Sequence, residues 1–200
     1  WQADVAEGLQ ESGADILLAL NASPFDSAKP ERRMSTAVAR TVETGLPLIY
    51  VNMVGGQDEL VYDGASFALN ADGSLASHLP SFSETVLQVQ LSETAGHIQL
   101  NGQITPPDEG MKALYRGVML GLRDYVQKNG FPGVVLGLSG GIDSALVAAL
   151  AVDALGADQV QAVMMPSAYT SQTSLDDAIA LAKNLGIRLD DISIVPGITA

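Results

Sequence analysis

Leu136–Ala145 reads LGLSGGIDSA, a glycine-rich turn set between two apolar runs. Gly133–Leu138 predicts a buried strand before it, and Ile142–Leu155, apolar nearly all round and stopped by Gly156, predicts a helix after it. Amides at the start of such a helix have no intrahelical acceptor, and the helix dipole favours negative charge beside them. Gly140 and Gly141 remove side chains where a phosphate must approach the backbone, while Ser139 and Ser144 add hydroxyl donors. Asp143 is out of place beside phosphates unless a divalent cation lies between them, because a carboxylate plus phosphate oxygens is the usual magnesium environment. The loop therefore predicts a nucleotide held with its metal. The bland alternative is a tight turn in which Asp143 and Ser144 merely cap the helix.

Working outward, Val160–Met165 predicts the next strand. Ser174 with Asp177 has capping-box spacing for a helix through Leu185–Gly186, and Asp191–Val195 predicts a third strand. This β-α-β-α-β series implies a parallel sheet with right-handed crossovers. Met165-Pro166-Ser167, at the carboxyl end of its strand, is where a doubly wound sheet places part of an adenine pocket. Upstream, Met111, Leu114-Tyr115, Val118-Met119, Leu122 and Tyr125-Val126 form one apolar stripe on a helix from Pro107 to Asn129-Gly130.

The first half alternates element types in another way. Val5–Leu9 is helix-like, Asp15–Leu20 a short buried strand, and Asn21-Ala22-Ser23-Pro24 a turn. Pro30 opens a helix with apolar positions Met34, Val38 and Thr41-Val42 and a stop at Gly45. Leu46–Met53 is the next strand, broken by Gly55-Gly56; Ser66–Leu69 and the stretch after Asp72-Gly73 read as a hairpin, and Val86–Leu91 as a half-exposed strand. Polar residues from Ser92 to Pro107 are the linker candidate. The expected domains are therefore 1–100 and 101–200, both α/β.

Composition bounds what such a chain does. Of 200 residues, 47% are hydrophobic and 16% charged, which is globular, and the formal net charge of -13 disfavours nucleic acid and anionic membranes as partners. The absence of cysteine removes disulfides, cysteine-ligated zinc and thiol nucleophiles from these residues. The longest apolar run, Ala145–Leu155, is too short to span a bilayer and carries Asp153, so a cytoplasmic protein without a membrane span is expected. Because the chain opens on Trp1 and closes at Ala200 just after Pro196-Gly197, it reads as an internal segment of a longer protein.

A Gly-Lys-Ser/Thr is missing, so the loop is not a Walker A, and G-x-G-x-x-G fails too. The S-G-G-x-D-S pattern resembles the pyrophosphate loop of ATP pyrophosphatases, which hold the leaving pyrophosphate while the α-phosphate is attacked. Around it, SGGIDSA, MMPSAYTSQTSLDDA and LAKNLGI resemble the start of the synthetase domain of the glutamine-dependent NAD synthetase family. NASPF, LPLIYVN and VGGQDELVYDGASF resemble the second half of that family's nitrilase-type glutaminase domain.

The resemblance implies the C-terminal part of a nitrilase-like α-β-β-α sandwich followed by the start of a Rossmann-like, doubly wound sheet. It implies amidation of deamido-NAD to NAD through an adenylated intermediate, with ATP and Mg2+ consumed at the loop and ammonia drawn from glutamine, in a homo-oligomer. Carried over by position, Gly137, Leu138, Ser139, Gly140, Gly141, Ile142, Asp143 and Ser144 bind ATP, with Asp143 as the metal ligand. Ser23 and Lys29 in NASPFDSAK hold glutamine, the lysine pairing its α-carboxylate, and Trp1 flanks the pocket. A turn-forming Ser23, a solvated Lys29 and a core Trp1 are the plain alternatives.

The family's nucleophilic cysteine and its glutamate and lysine partners match nothing in these residues, so no catalytic residue is expected here. Asp58, Glu59 and Asp63 read as a structural loop rather than a metal site; Arg32-Arg33, His78 and His97 read as surface residues. Two rival readings stay open: another ATP-pyrophosphatase amidotransferase, and a non-catalytic nucleotide-binding module.

Overall fold

Residues 4–198 are described here in a computed structural model. They divide into two units, at Val118–Met119.

In the first unit, helix α1 (Val5–Glu11) precedes strand β1 (Leu17–Asn21), and helix α2 (Lys29–Thr44) precedes strand β2 (Leu48–Asn52). α2 takes Pro30 in its first turn, where a missing N–H costs nothing, and ends at Gly45 with φ 67°, the left-handed cap the sequence predicts. β1 and β2 pair in parallel, from Leu17 beside Leu48 to Asn21 beside Asn52. Strands β3 (Val54–Gln57) and β4 (Leu60–Asp63) form a hairpin, and β5 (Phe67–Leu69) and β6 (Leu75–His78) extend the main sheet in the order β1-β2-β5-β6. Leu48, Tyr50 and Asn52 alternate onto the buried face of β2, where Leu17, Phe67, Leu69 and Ala37 of α2 close the core.

Several expectations change here. Gly55-Gly56 does not break the strand pattern: both glycines sit inside β3, and the turn falls at Asp58, whose φ is 52°. The strand expected at Val86–Leu91 forms later, as β7 (Gln90–Thr94), and pairs with β8 (His97–Asn101) within the expected linker. Its turn is Ala95-Gly96, both at positive φ, and Leu100 anchors it in the core at 3% exposure. β1 is buried only at Leu17, with Leu18 and Leu20 exposed, and Val42 of α2 is exposed as well. The fully buried stripe of α2 is Arg33, Ala37, Thr41 and Thr44, while Met34 and Val38 of the stripe read in sequence pack, partly buried, against the same core.

Helix α3 (Gly110–Lys128) starts three residues after Pro107; of the expected stripe Val126 is buried and Leu122 packs on the core, Met111, Leu114, Val118 and Tyr125 are exposed, and Ala113 and Leu120, outside that stripe, are buried. In the second unit, β9 (Val134–Gly137), α4 (Ile142–Leu155), β10 (Val160–Met164), α5 (Gln172–Leu185) and β11 (Arg188–Asp191) alternate, and a short helix, α6, covers Val195–Ile198. All three strands are parallel in the order β11-β10-β9, as the β-α-β-α-β series implies. α4 buries Ala148 and Ala151 fully and packs Val152 and Leu155 against the same core, leaving Ile142, Leu146 and Val147 exposed. α5 is capped by Ser171, whose Oγ accepts from Ser174 N at 3.1 Å, so the capping serine lies three residues before the one expected. The third strand ends at Asp191 instead of starting there. No helix among the described residues is long and apolar enough to cross a membrane.

Candidate functional sites

In the second unit, Gly137–Ser144 leaves the carboxyl end of β9 and opens α4. Leu138 is the loop's buried anchor, its N–H donating to Val163 O at 2.9 Å. Gly140 turns the chain at φ 78°, and a Cβ there would lie 2.8 Å from the carbonyl carbon and Cα of Ser174 and nearer still to its oxygen. Only glycine fits both the torsion and the approach to α5.

Two serines then lock the turn. Their Oγ atoms, on Ser139 and Ser144, lie 3.1 Å apart, Gly141 N donates to Ser139 Oγ at 3.3 Å, and Ser144 Oγ donates to Gly141 O at 3.0 Å. The helix begins after Gly141 with no side-chain cap, so its leading amides are presented at a positive dipole end. Of the capping alternative, Ser144 does tie the helix start, through Gly141 O and the Ser139 N–H at 3.3 Å, whereas the Asp143 side chain makes no hydrogen bond among the described residues. Beside the loop, a cleft of about 310 Å³ is lined by Gly137, Ser139, Met165, Pro166 and Thr170, among others. Of the residues read as an adenine position it takes in Met165 and Pro166 but not Ser167, and it does not take in Asp143.

Asp143 stands exposed in the first turn of α4. Among the described residues no three His, Cys, Asp or Glu side chains gather at metal-ligand spacing, so no protein cage surrounds Asp143 and a cation there would take few protein ligands. That donor set fits magnesium, which keeps its waters and takes a single carboxylate together with phosphate oxygens.

In the first unit, Ser23 follows the end of β1 and is held through its backbone. Its N–H donates to Asn52 Oδ1 at 2.8 Å, and its carbonyl accepts from Asn52 Nδ2 at 3.3 Å and from Arg33 Nη2 at 3.5 Å. Lys29, half-buried, is the first residue of α2, and its N–H donates to Asp26 O at 3.0 Å. Among the described residues it pairs with no carboxylate. Trp1 lies outside the described residues.

Sequence reasoning missed what stands behind Ser23. Arg33 is not a surface residue, and Asp63 has a structural role inside the core: their side chains keep 6% and 3% of their exposure and form a two-point ion pair. Asn52 Nδ2 also donates to Asp63 Oδ1 at 3.2 Å, and the Arg33 guanidinium lies over the Tyr50 ring, 5.7 Å from its centroid. His78 is likewise buried, stacked on Phe67 at 6.4 Å between centroids; burial pushes its imidazole below the ordinary value, and the Asp63 charge pulls weakly the other way. Arg32 and His97 are exposed, as expected. Arg33, Asp63 and His78 share a cavity of about 640 Å³ with Phe25, Phe82 and Asp108, and Arg33 Nε and His78 Nδ1 are buried there without a hydrogen-bond partner. Neither Ser23 nor Lys29 lines it.

Comparison with known proteins follows the same division. Residues 4–99 match the carbon-nitrogen hydrolase family model and residues 114–200 the NAD synthase model. Over 195 residues the chain is 53% identical to a glutamine-dependent NAD(+) synthetase of Rhodobacter capsulatus, covering 97% of this chain and 35% of that one. To the enzyme of the same name from Acinetobacter baylyi it is 41% identical over 197 residues, 98% of this chain and 36% of the relative. A solved glutamine-dependent NAD+ synthetase from Acinetobacter baumannii, in complex with adenosine diphosphate, superimposes with a TM-score of 0.92 at 41% identity, covering 100% of this chain and 38% of that one. The resemblance read from the motifs is therefore borne out across both units, as is the order of a nitrilase-like part before a parallel-stranded synthetase part. The chain spans between 35% and 38% of the length of these relatives.

Proposed function

We propose that this chain is the junction of a glutamine-hydrolysing NAD(+) synthase, in which residues 1–100 close the glutaminase domain and residues 101–200 open the synthetase domain. The observation that carries this reading is the S-G-G-I-D-S loop, seated at the carboxyl end of a parallel strand and opening α4, on the same chain as a nitrilase-like unit.

The proposed chemistry runs in two stages. A carboxylate oxygen of deamido-NAD attacks the α-phosphorus of ATP and the bond to pyrophosphate breaks; ammonia from glutamine then displaces AMP from the acyl adenylate and leaves the amide of NAD. Gly137–Ser144 hold the pyrophosphate end: the amides at the α4 terminus and the hydroxyls of Ser139 and Ser144 stabilise the charge that develops on the leaving group. Asp143 anchors magnesium, which when bound neutralises phosphate charge. In the first unit, Lys29 pairs the α-carboxylate of glutamine and Ser23 its polar end. Glutamine hydrolysis itself needs a thiolate, which these residues do not contain. A cytoplasmic homo-oligomer is the proposed setting.

The test uses the full-length protein with ATP, Mg2+ and deamido-NAD, supplied with glutamine or with ammonium. NAD should form with AMP and pyrophosphate as co-products. Release of ADP and phosphate would overturn the adenylation step. Glutamine-dependent AMP formation on another acceptor, with none on deamido-NAD, would assign the chain to a different ATP-pyrophosphatase amidotransferase.

A further inference from the structure

Ser23 and Lys29 sit on a loop and at a helix end, yet both are tied to one buried polar network. Asn52 ends β2 beside Asn21, the last residue of β1. One residue beyond Ala22, its side-chain amide meets the Ser23 backbone as a peptide unit would, accepting from N–H at 2.8 Å and donating to the carbonyl at 3.3 Å. The parallel ladder is thereby continued past the end of the strand by a side chain. Asn52 is in turn fixed on two sides, its backbone N–H donating to Ser66 Oγ at 3.0 Å and its Nδ2 to Asp63 Oδ1 at 3.2 Å. The second tie runs through α2. Arg33 lies one turn after Lys29, on the same face of the helix. Its guanidinium is pinned by both Asp63 oxygens and reaches the Ser23 carbonyl at 3.5 Å, so the rotation of α2, and with it the direction of Lys29, is set by the same carboxylate that sets Asn52.

We infer that Asn52, Arg33 and Asp63 are positioning residues for glutamine: a buried triad that holds the Ser23 loop and the Lys29 end of α2 in one fixed relation. The inference rests on the proposed glutamine site. In this role the three act through Ser23 and Lys29 and not on the substrate itself. Their effect is preorganisation, the holding of two recognition groups in place before the ligand arrives. The pairing is built for this more than for stability, since an apolar trio of similar volume fills a core without the cost of desolvating a guanidinium and a carboxylate.

The experiment compares Asn52→Ala and Asn52→Ser with Ser23→Ala and Lys29→Ala, all in the full-length protein. Each is assayed for NAD formation with glutamine and with ammonium, and for its melting temperature. Asn52 is the position of choice because its loss leaves the Arg33–Asp63 pair intact. Both Asn52 variants should stay folded and raise the KM for glutamine by roughly five- to thirtyfold, the effect of losing the hydrogen bonds that orient the Ser23 backbone, with ammonium-driven turnover near wild type. Equal losses with both nitrogen sources, or loss of folded protein in both variants, would assign the network to stability alone and overturn the inference. An unchanged glutamine KM in the Asn52 variants, with KM raised in Ser23→Ala and Lys29→Ala, also overturns it while sparing the glutamine site. An unchanged KM in the Ser23 and Lys29 variants removes the glutamine site and the inference together.

Discussion

Arg33 and Asp63, thirty residues apart in sequence, face each other through two hydrogen bonds, Nη1 to Oδ2 at 3.2 Å and Nη2 to Oδ1 at 3.0 Å, with more than nine-tenths of each side chain buried. The pair joins the first turns of α2 to the end of β4, two elements that share no hydrogen-bonded ladder. A desolvated pair of this kind is worth little net against apolar residues, but each partner is costly without the other.

Asp63→Asn should therefore cost about 3–5 kcal/mol by leaving the guanidinium uncompensated in the core. Changing both residues together, Arg33→Met with Asp63→Leu, should recover most of that loss. Urea denaturation of the wild type and the two variants makes the comparison; a double variant no more stable than Asp63→Asn would mean that the pair itself contributes the stability.

The fold was largely legible where glycine, proline and apolar runs punctuate the chain, and the buried pair shows why the rest was not. Gly45, Gly156 and Gly186 end their helices where expected, because a stop needs only local chemistry. The hairpin of β7 and β8 was hidden since its one strong anchor, Leu100, is surrounded by polar residues that face outward on both strands. The stripe of α3 was misjudged since periodicity locates an apolar face without saying what it packs on. The nucleotide loop was readable because all its parts are contiguous. Arg33, Asn52 and Asp63 were not, because three ordinary polar residues on three elements acquire meaning only when the sheet brings them together.

Asp143→Asn in the full-length protein should leave the fold intact and lower ammonium-driven NAD formation by about a hundredfold or more. The carboxylate is exposed at the start of α4, so its charge contributes only a few tenths of a kcal/mol to the helix. Its proposed role as the one protein ligand of magnesium is far more sensitive, since an amide oxygen carries no charge. Near-normal turnover at saturating ammonium would rule that role out, and unchanged melting separates a metal effect from a folding one.

His78 should make stability fall on mild acidification. Burial holds its imidazole below the ordinary value of 6.5 in the folded chain, outweighing the nearby backbone of Thr105 and Leu79 and the Asp63 charge. The unfolded chain then takes up a proton first as the pH drops through about 6.5, and proton uptake favours the unfolded state. Asp108 acts lower. Burial pushes its carboxyl up, but Lys112 and Arg116 outweigh it and hold it below 3.8, so its contribution is lost only in stronger acid. Melting curves between about pH 5 and 7 should show a decline that His78→Gln flattens. A slope identical in the variant would place the titrating group elsewhere.

Gly140→Ala tests whether the loop's shape is required for nucleotide chemistry. A Cβ at this position meets the Ser174 backbone at 2.8 Å or less, and φ is 78°, so torsion and contact both oppose any side chain. The obstacle is the main chain of α5, held by the Ser171 cap, and it has no rotamer to turn away. The loop must move instead, carrying the Ser139–Ser144 contact and the leading amides of α4 with it. Two neighbours calibrate the result. Gly141 has φ -88°, and its added Cβ would meet only Ser139 Oγ, at 3.3 Å, so Gly141→Ala should fold normally. At Gly133 the added Cβ would fall 2.9 Å from the Gln159 carbonyl carbon, well away from the loop, so Gly133→Ala should lower the melting temperature without changing the KM for ATP of the folded protein. Gly140→Ala alone should raise the KM for ATP or abolish NAD formation with either nitrogen source, at a stability cost of about 1–3 kcal/mol. If its KM for ATP matches that of Gly133→Ala at equal folded fraction, the loop is a structural turn and the nucleotide lies elsewhere.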